Sequence, residues 1–342
     1  MLKSEGSGSG QIVHERSVLR RSLLAAALSA PFISRTEAFP ADRPIRVIVP
    51  GAPGGTVDVV ARAIGDAMQR ELGRGWLVDP RPGANGIIAA RAFLEAPADD
   101  PLLYLTVLSH VLLPFLTKVP FDVFADFQPV AMAGTTTFLL CVPARSPADS
   151  VAGFVDYARA RAGGLNYLNP GNGTASHLLP EMLKIRFGFD ITAIYYKAIQ
   201  QGVGDLVAGD LDLGLLATGF ALPLVRQGRL KAIAQVSRHR LDGLPGVATW
   251  AEQGLEDLRV DSCLPLYGRT ALPASEVARV NRAMAAALAD PMTRGRLAAA
   301  HIEPTPMSAS EVRTTMKREH DRLGAVIRQL GIKADSQGGT PS

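Results

Sequence analysis

Short apolar runs alternate along the chain with stretches whose apolar positions step by three or four. Residues 46–49 read as a strand. Residues 57–72 read as a helix, because Val57, Val60, Ile64, Met68 and Leu72 fall on one face and Gly73 supplies a stop. A strand at 76–78, a helix at 86–95 and a strand at 103–108 follow. The segment 114–130, PFLTKVPFDVFADFQPV, is punctuated by Pro and Asp and reads as a connector. Strands are then expected at 138–142, 165–168, 191–195, 211–216 and 232–236, separated by helices at 150–161, after 174 up to Phe187, at 200–208 and at 221–227. A strand at 260–267 and long helices at 274–289 and 308–330 close the pattern. Repeated strand–helix units predict an α/β fold with a mostly parallel sheet covered by helices on both faces.

Two corners stand out. In VPGAPGGTVD, residues 49–58, a strand feeds a glycine-rich turn and then a helix. Gly54 and Gly55 leave the backbone bare, Thr56 is suited to an N-cap, and Asp58 falls in the first turn, where a carboxylate suits the helix dipole. The N–H groups of Gly54, Gly55, Thr56 and Val57 could together face an anion. The spacing is neither GxGxxG nor GxxxxGK[ST], which leaves dinucleotide and nucleoside triphosphate binding unsupported. In NPGNGTASH, residues 169–177, Gly171, Asn172, Gly173 and Thr174 repeat the device, with Ser176 and His177 beyond. Each corner is also compatible with a tight strand-to-helix turn that binds nothing. In open α/β sheets ligands sit at the carboxyl ends of strands, so two such corners could close on one small ligand.

Composition narrows the classes. Of 342 residues, 47% are apolar and 20% charged, enough for a proper core. The net charge is +4, and about half of it lies in the first 38 residues, with five Lys/Arg against three Glu. No basic stripe remains, and no nucleic-acid partner is expected. Residues 1–38 read as an export signal: Arg20 and Arg21 precede the apolar run 23–33, and cleavage is placed after Ala38. The leader fits a Sec signal or a twin-arginine signal equally. The stretch SEGSGSG before it resembles a linker, and the Gly/Ser/Pro tail 336–342 is expected to be disordered. A soluble protein outside the cytoplasm is the expectation.

Candidate enzymatic chemistry is thin. Ser176 and His177 are adjacent on a helix start and point apart, and GxSxG is absent. The six histidines show no HExxH and no ligand spacing, so no metal and no cofactor are expected. Asp210 and Asp212 could be paired carboxylates or simply a turn. Glu319 and His320 read as a solvated charged helix face. Cys141 and Cys263 exclude CxxC chemistry.

The chain resembles the Bug-type periplasmic substrate-binding proteins of tripartite tricarboxylate transporters. The motifs that carry the resemblance are APGGTVD, RPGANG, VPFDVFADFQPVA, LNYLNPGNGTASHLL, YKAIQQGVGDLVAGDLDL, LPGVATWAEQGL and ALADPMTRGRLAA, spread over the whole expected mature chain. The resemblance implies a type II periplasmic-binding-protein fold. Two α/β domains, 39–138 with 264–335 and 139–263, would be joined by two crossover hinge strands at 138–142 and 260–264, with a ligand cleft between them. It implies a solute receptor, not an enzyme, that binds a small carboxylate as a monomer and serves membrane permease subunits. A sensor-kinase ectodomain is the alternative partner, and a periplasmic enzyme using His177 or Asp212 as base the remote one. Carried over residue by residue, the ligand contacts would be Gly54, Gly55, Thr56, Ser109, Asn172, Gly173, Thr174, His177, Tyr196 and Thr218. Three positions depart from the family pattern: Gly51 replaces an aromatic residue, Ala198 with Gln201 replaces a glycine and a proline, and Pro180 sits early in its helix. A larger pocket is expected from the first. Cys141 and Cys263 fall on the two expected crossovers. Two buried thiols are favoured over a disulfide stapling the hinge, because bridging needs Cα atoms within roughly 7 Å.

Overall fold

Every residue of the strand Leu102–Leu105 is buried, so its sequence is unbroken apolar rather than alternating. The computed structural model describes residues 43–333 except 162, 197, 198 and 238, and these fall within one compact unit, Glu37–Ser342. In chain order, β1 (Ile45–Val49) leads to α1 (Thr56–Ala63) and α2 (Gly65–Leu72), and β2 (Trp76–Pro80) to α3 (Ile87–Glu95). β3 (Leu102–Leu105) leads to a 3₁₀ turn (Leu108–Leu112) and the short α4 (Leu113–Leu116). Then come β4 (Phe127–Thr136), β5 (Phe138–Pro143), α5 (Val151–Ala160), β6 (Leu165–Asn169), α6 (Ala175–Phe187), β7 (Ile191–Tyr195) and α7 (Ile199–Ala208). β8 (Gly214–Ala217), α8 (Thr218–Arg226), β9 (Leu230–Val236), β10 (Ser262–Arg269), α9 (Ala274–Ala289), α10 (Pro291–Ala299), β11 (Ile302–Glu303) and α11 (Ala309–Leu330) complete the chain.

One sheet has the order β11-β4-β10-β3-β1-β2. β1 is its parallel centre, with Val47 opposite Val78 on one side and Leu103 on the other. β10 runs antiparallel to β3 and β4. A second sheet, β8-β5-β9, is antiparallel, and β6 pairs in parallel with β7. A parallel bridge from Tyr167 to Leu213 ties β6 to the residue entering β8. The strands that feed glycine corners therefore deliver them at carboxyl ends, where helix N-termini begin.

The chain leaves the first sheet at Thr136 and enters the second at Phe138. The expected crossover 138–142 lies wholly within β5, which pairs with β8 and β9. The return strand β10 begins at Ser262, opposite Thr136. Cys141 and Cys263 are both buried free thiols, which corrects the disulfide alternative. Cys263 lies opposite Thr135 in the first sheet, whereas Cys141 faces Gly214 and Ala232 in the second.

Other departures have physical causes. The end of the supposed connector is β4, which carries Pro129. That residue lies beyond β11, which pairs only with Thr135 and Thr136, and beside a bulge between Leu266 and Tyr267, so its missing N–H is tolerated. α10 was not anticipated, although Asp290 caps it by accepting from the Thr293 N–H at 2.8 Å and Pro291 opens it. The Glu319 and His320 face is not solvated. Glu319 is buried and accepts from Arg318 and Arg322, and His320 Nδ1 lies 2.6 Å from the Val111 carbonyl. α11 thereby closes over the 3₁₀ turn, β4 and α6, adding Met316, Leu323 and Ile327 to a core shared with Leu140, Tyr167 and Leu178.

Candidate functional site

At the first corner Gly54 has φ +80°, a left-handed conformation that favours glycine. The N-cap is Gly55, not Thr56. Thr56 is the first helical residue, and no side chain caps α1. Two of the four expected donors are already engaged: the Gly54 N–H donates to Asp58 Oδ2 at 2.9 Å and the Gly55 N–H to the Ala52 carbonyl at 2.9 Å. The Asp58 side chain, 3% exposed, also takes Arg62 at 3.0 Å. The Arg62 guanidinium, and after it the Gly54 N–H, hold the Asp58 carboxyl below its usual range. Asp58 thus shapes the corner from within. The N–H groups of Thr56 and Val57 point out of the helix end, where helix geometry provides no acceptor. Apart from its own chain neighbours, no atom of the described residues lies within 4 Å of where a Cβ on Gly51 would stand.

The second corner satisfies more of its own donors. The Gly173 N–H donates to His177 Nδ1 at 3.1 Å, the Gly171 N–H to Asn169 Oδ1 at 2.9 Å, and the Thr174 hydroxyl to the Gly171 carbonyl at 2.8 Å. Asn172 is held by Asn169 and reaches the Lys333 carbonyl at 2.7 Å. Ser176 gives its hydroxyl to the Leu215 carbonyl at 2.7 Å. His177 stacks on Tyr167, and burial pushes it down to about 4, so the imidazole is neutral near pH 7. Asp212 is bound by Arg161 at 2.6 Å and by the Asn166 N–H at 2.9 Å, a structural engagement.

Between the corners sits the loop of RPGANG. Its residues Gly83, Ala84, Asn85 and Gly86 all have positive φ, from +46° to +119°, an uncommon conformation for Ala84 and Asn85. A Cβ on Gly86 would meet Pro50 at 3.2 Å, and one on Gly171 would lie 3.7 Å from Asn85 Oδ1. The loop therefore touches the entry to the first corner and the second corner itself. Asn85 was legible as part of a motif but not singled out.

The first corner also opens on a pocket of about 180 Å³ lined by Gly54, Thr56, Val59, Thr136, Ala217, Gly219, Phe220, Ala300 and Ile302. Two helix starts meet there, α1 and α8, and neither has a side-chain cap. Among the described residues no charged side chain lines it.

The remaining candidates are placed as follows. Ser109 lies in the 3₁₀ turn after β3, which is parallel to β1, so it is at the same carboxyl end of the sheet as the first corner. Tyr196 is buried, and its hydroxyl donates to Asp205 at 2.7 Å. Thr218 is 1% exposed; its N–H donates to the Thr137 carbonyl at 3.0 Å, and its Oγ1 lies 2.9 Å from the Thr137 hydroxyl. Its neighbours Gly219 and Phe220, rather than Thr218, reach the pocket. Lys197, Ala198, the leader and the tail lie outside the described residues. Among the described residues there is no group of His, Cys, Asp or Glu placed to hold a metal, and no helix is long and apolar enough to cross a membrane.

The tripartite tricarboxylate transporter family receptor model matches residues 60–332. BugT of Bordetella pertussis is 29% identical over 91% of this chain and 95% of its own length. Among solved structures, Rpa4515 of R. palustris with adipate is 27% identical, covers 86% of this chain and 99% of its own, and superposes with a TM-score of 0.75. MatC of Rhodopseudomonas palustris with bound malate is 25% identical over 84% of this chain and 100% of its own, with a TM-score of 0.71. Two glycine corners on the carboxyl ends of strands, two sheets exchanging the chain at Thr136 and again at Ser262, and a family match across most of the length converge: this chain belongs to the receptors of the tripartite tricarboxylate transporter family and has their α/β periplasmic-binding fold.

Proposed function

We propose that this protein is an extracytoplasmic receptor for a small organic carboxylate that it delivers to the permease of a tripartite transporter. The observation that carries the reading is the first corner: an uncapped helix start, opened by Gly54 and braced by Asp58, beside a pocket without charged groups. Backbone N–H groups at a helix N-terminus stabilise an anion without an arginine. Relatives that carry malate and adipate support the ligand class. In this reading the halves 39–138 with 264–335 and 139–263 close on the ligand, and the RPGANG loop and the GNGT corner meet across the cleft. The engaged states of His177 and Asp212 suit a binding role better than that of a base.

The test is a thermal-shift screen against small carboxylates, with the matching amides as controls. A ligand at 100 times its Kd stabilises by about 2.7 kcal/mol. For a chain of this size that is a rise of roughly 4 °C. A shift from an acid and none from its amide supports the reading. Equal shifts from acid and amide would sink it.

A further inference from the structure

We infer that the receptor selects a carboxylate whose body is apolar, a ring or a chain of about five carbons, and that Phe220 at the start of α8 grips that body. This rests on the carboxylate-receptor reading above and names the substrate class. Phe220 is a large apolar side chain left 46% exposed. Its place follows from how α8 is seated. Thr218, Ala221 and Leu222 are buried and define the core face of the helix. Phe220, two residues from Thr218 and two from Leu222, falls on the opposite side. The helix start itself is pinned: the Thr218 N–H donates to the Thr137 carbonyl at 3.0 Å, and a Cβ on Gly219 would lie 3.8 Å from the Ala300 carbonyl oxygen. Phe220 therefore lines the pocket beside the first corner instead of joining the core. A lone exposed phenylalanine on an open surface needs no account. One that lines a concave pocket does.

The pocket decides what can enter. Val59, Ala217, Phe220, Ala300 and Ile302 supply apolar side chains, and among the described residues no charged side chain joins them. Its polar side chains are Thr56 and Thr136, and the Thr136 hydroxyl is buried away from the space. A second carboxylate or an ammonium group placed there would lose its hydration without gaining a partner, which is costly. An apolar body gains by leaving water, and the face of the Phe220 ring adds close contact to it. The volume, about 180 Å³, sets the size. An apolar protein cavity of about 150 Å³ accepts benzene. A ring or about five carbons fills this pocket, while the carboxylate stays at its mouth beside Thr56. Val59 lies on α1 and Phe220 on α8, one from each half, so a single apolar body touches both. Closure on it takes the Phe220 ring out of water.

The experiment measures Kd by calorimetry for acetate, butanoate, hexanoate, octanoate, benzoate and malate, with competition for the weak acids. The wild type is compared with Phe220→Ala and Phe220→Leu. In the wild type Kd should fall about fourfold per added CH2 up to hexanoate and fall no further at octanoate, which overfills the pocket. Benzoate should bind about tenfold or more tightly than malate. F220A should weaken hexanoate and benzoate about tenfold or more and acetate by less than about threefold, and F220L should keep hexanoate within about threefold. Because Phe220 is half exposed, the ligand-free Tm of F220A should stay within about 2 °C of wild type. A residue with only a structural role would lower that Tm and weaken every acid alike. A crystal structure of the wild-type hexanoate complex is a second arm that does not depend on the variants. It should place chain carbons within about 4.5 Å of the Phe220 ring. A Kd independent of chain length, equal losses for acetate and hexanoate in F220A, binding of malate alone, or a chain lodged elsewhere overturns the assignment and leaves the receptor standing. Hexanamide bound as tightly as hexanoate, or no acid bound at all, sinks the receptor reading and takes this inference with it.

Discussion

Asp58 offers the sharpest test of how the first corner is held. Replacing it with alanine removes the acceptor for the Gly54 N–H and the partner of Arg62. The first is a hydrogen bond to a buried charged group, worth about 1.5–3 kcal/mol. The second contributes less, because the Arg62 side chain is 57% exposed and solvent screens it, leaving about 0.3–0.5 kcal/mol. Loss of a carboxylate from the first turn of α1 costs a few tenths more, and relief of the buried charge offsets part of the sum. A net loss of about 2–3 kcal/mol follows, or a Tm lowered by roughly 3–5 °C. Urea denaturation followed by tryptophan fluorescence is suited to the measurement, since Trp76 and Trp250 are both buried. The pH dependence adds a second constraint. The folded pKa of Asp58 is depressed, so its stabilisation is complete above the unfolded value, near 4, and is lost as pH falls through the folded value. The gap between wild type and D58A should be flat from pH 5 to about 8 and narrow below about pH 4. A gap under about 0.5 kcal/mol at pH 7, or one that widens in acid, would refute the bracing role of Asp58.

The other predictions concern buried titratable groups. Burial pushes Cys263 up to about 12 and raises Cys141 as well, so neither should react with a thiol reagent in the native state, while both should react in guanidinium without reductant. Fewer than two reactive thiols in that unfolded sample would mean a disulfide after all. Burial lowers His110 to about 3 and His177 to about 4. Between the unfolded value near 6.5 and these values the unfolded chain takes up protons that the folded one cannot, so stability should fall steadily as pH drops from about 6.5 to 4. His110 sits among aromatic rings, 4.6 Å from that of Phe127, and His110→Phe should flatten that slope; an unchanged slope would show that other groups cause it.

Much of the fold was legible because buried strands and amphipathic helices write their burial into the sequence. The expected mostly parallel sheet is corrected: β1 is parallel to β2 and β3, and β6 to β7, whereas β10 is antiparallel to β3 and β4, β11 to β4, and β5 to β8 and β9. The helix from Val57 and the long terminal helices follow from apolar spacing alone, and only the break at Ile64 was unseen. β4 was not legible, since Pro129, Ala131, Ala133 and Gly134 give neither alternation nor β-branched content. α8 begins at Thr218, three residues earlier than expected, because the Thr218 N–H finds the Thr137 carbonyl across the hinge. That contact joins residues 81 apart, and no local pattern can report it.

The candidate site divides the same way. The sequence by itself determined the two glycine corners and the family, because left-handed turns depend on neighbouring residues, whereas the expected Thr56 cap gave way to Gly55. Which donors remain for a ligand was decided only by tertiary structure. The Gly54 and Gly173 N–H groups, equivalent in sequence terms, are taken by Asp58 and His177. Ser176 and Tyr196 donate their hydroxyls to Leu215 and Asp205, and the Thr218 hydroxyl accepts from that of Thr137. Thr136, which no motif marks, is left with a buried hydroxyl that has no hydrogen-bond partner among the described residues. A hydrogen bond is satisfied or left open by whatever the fold brings within about 3 Å, and that distance is set by packing between segments far apart in the chain.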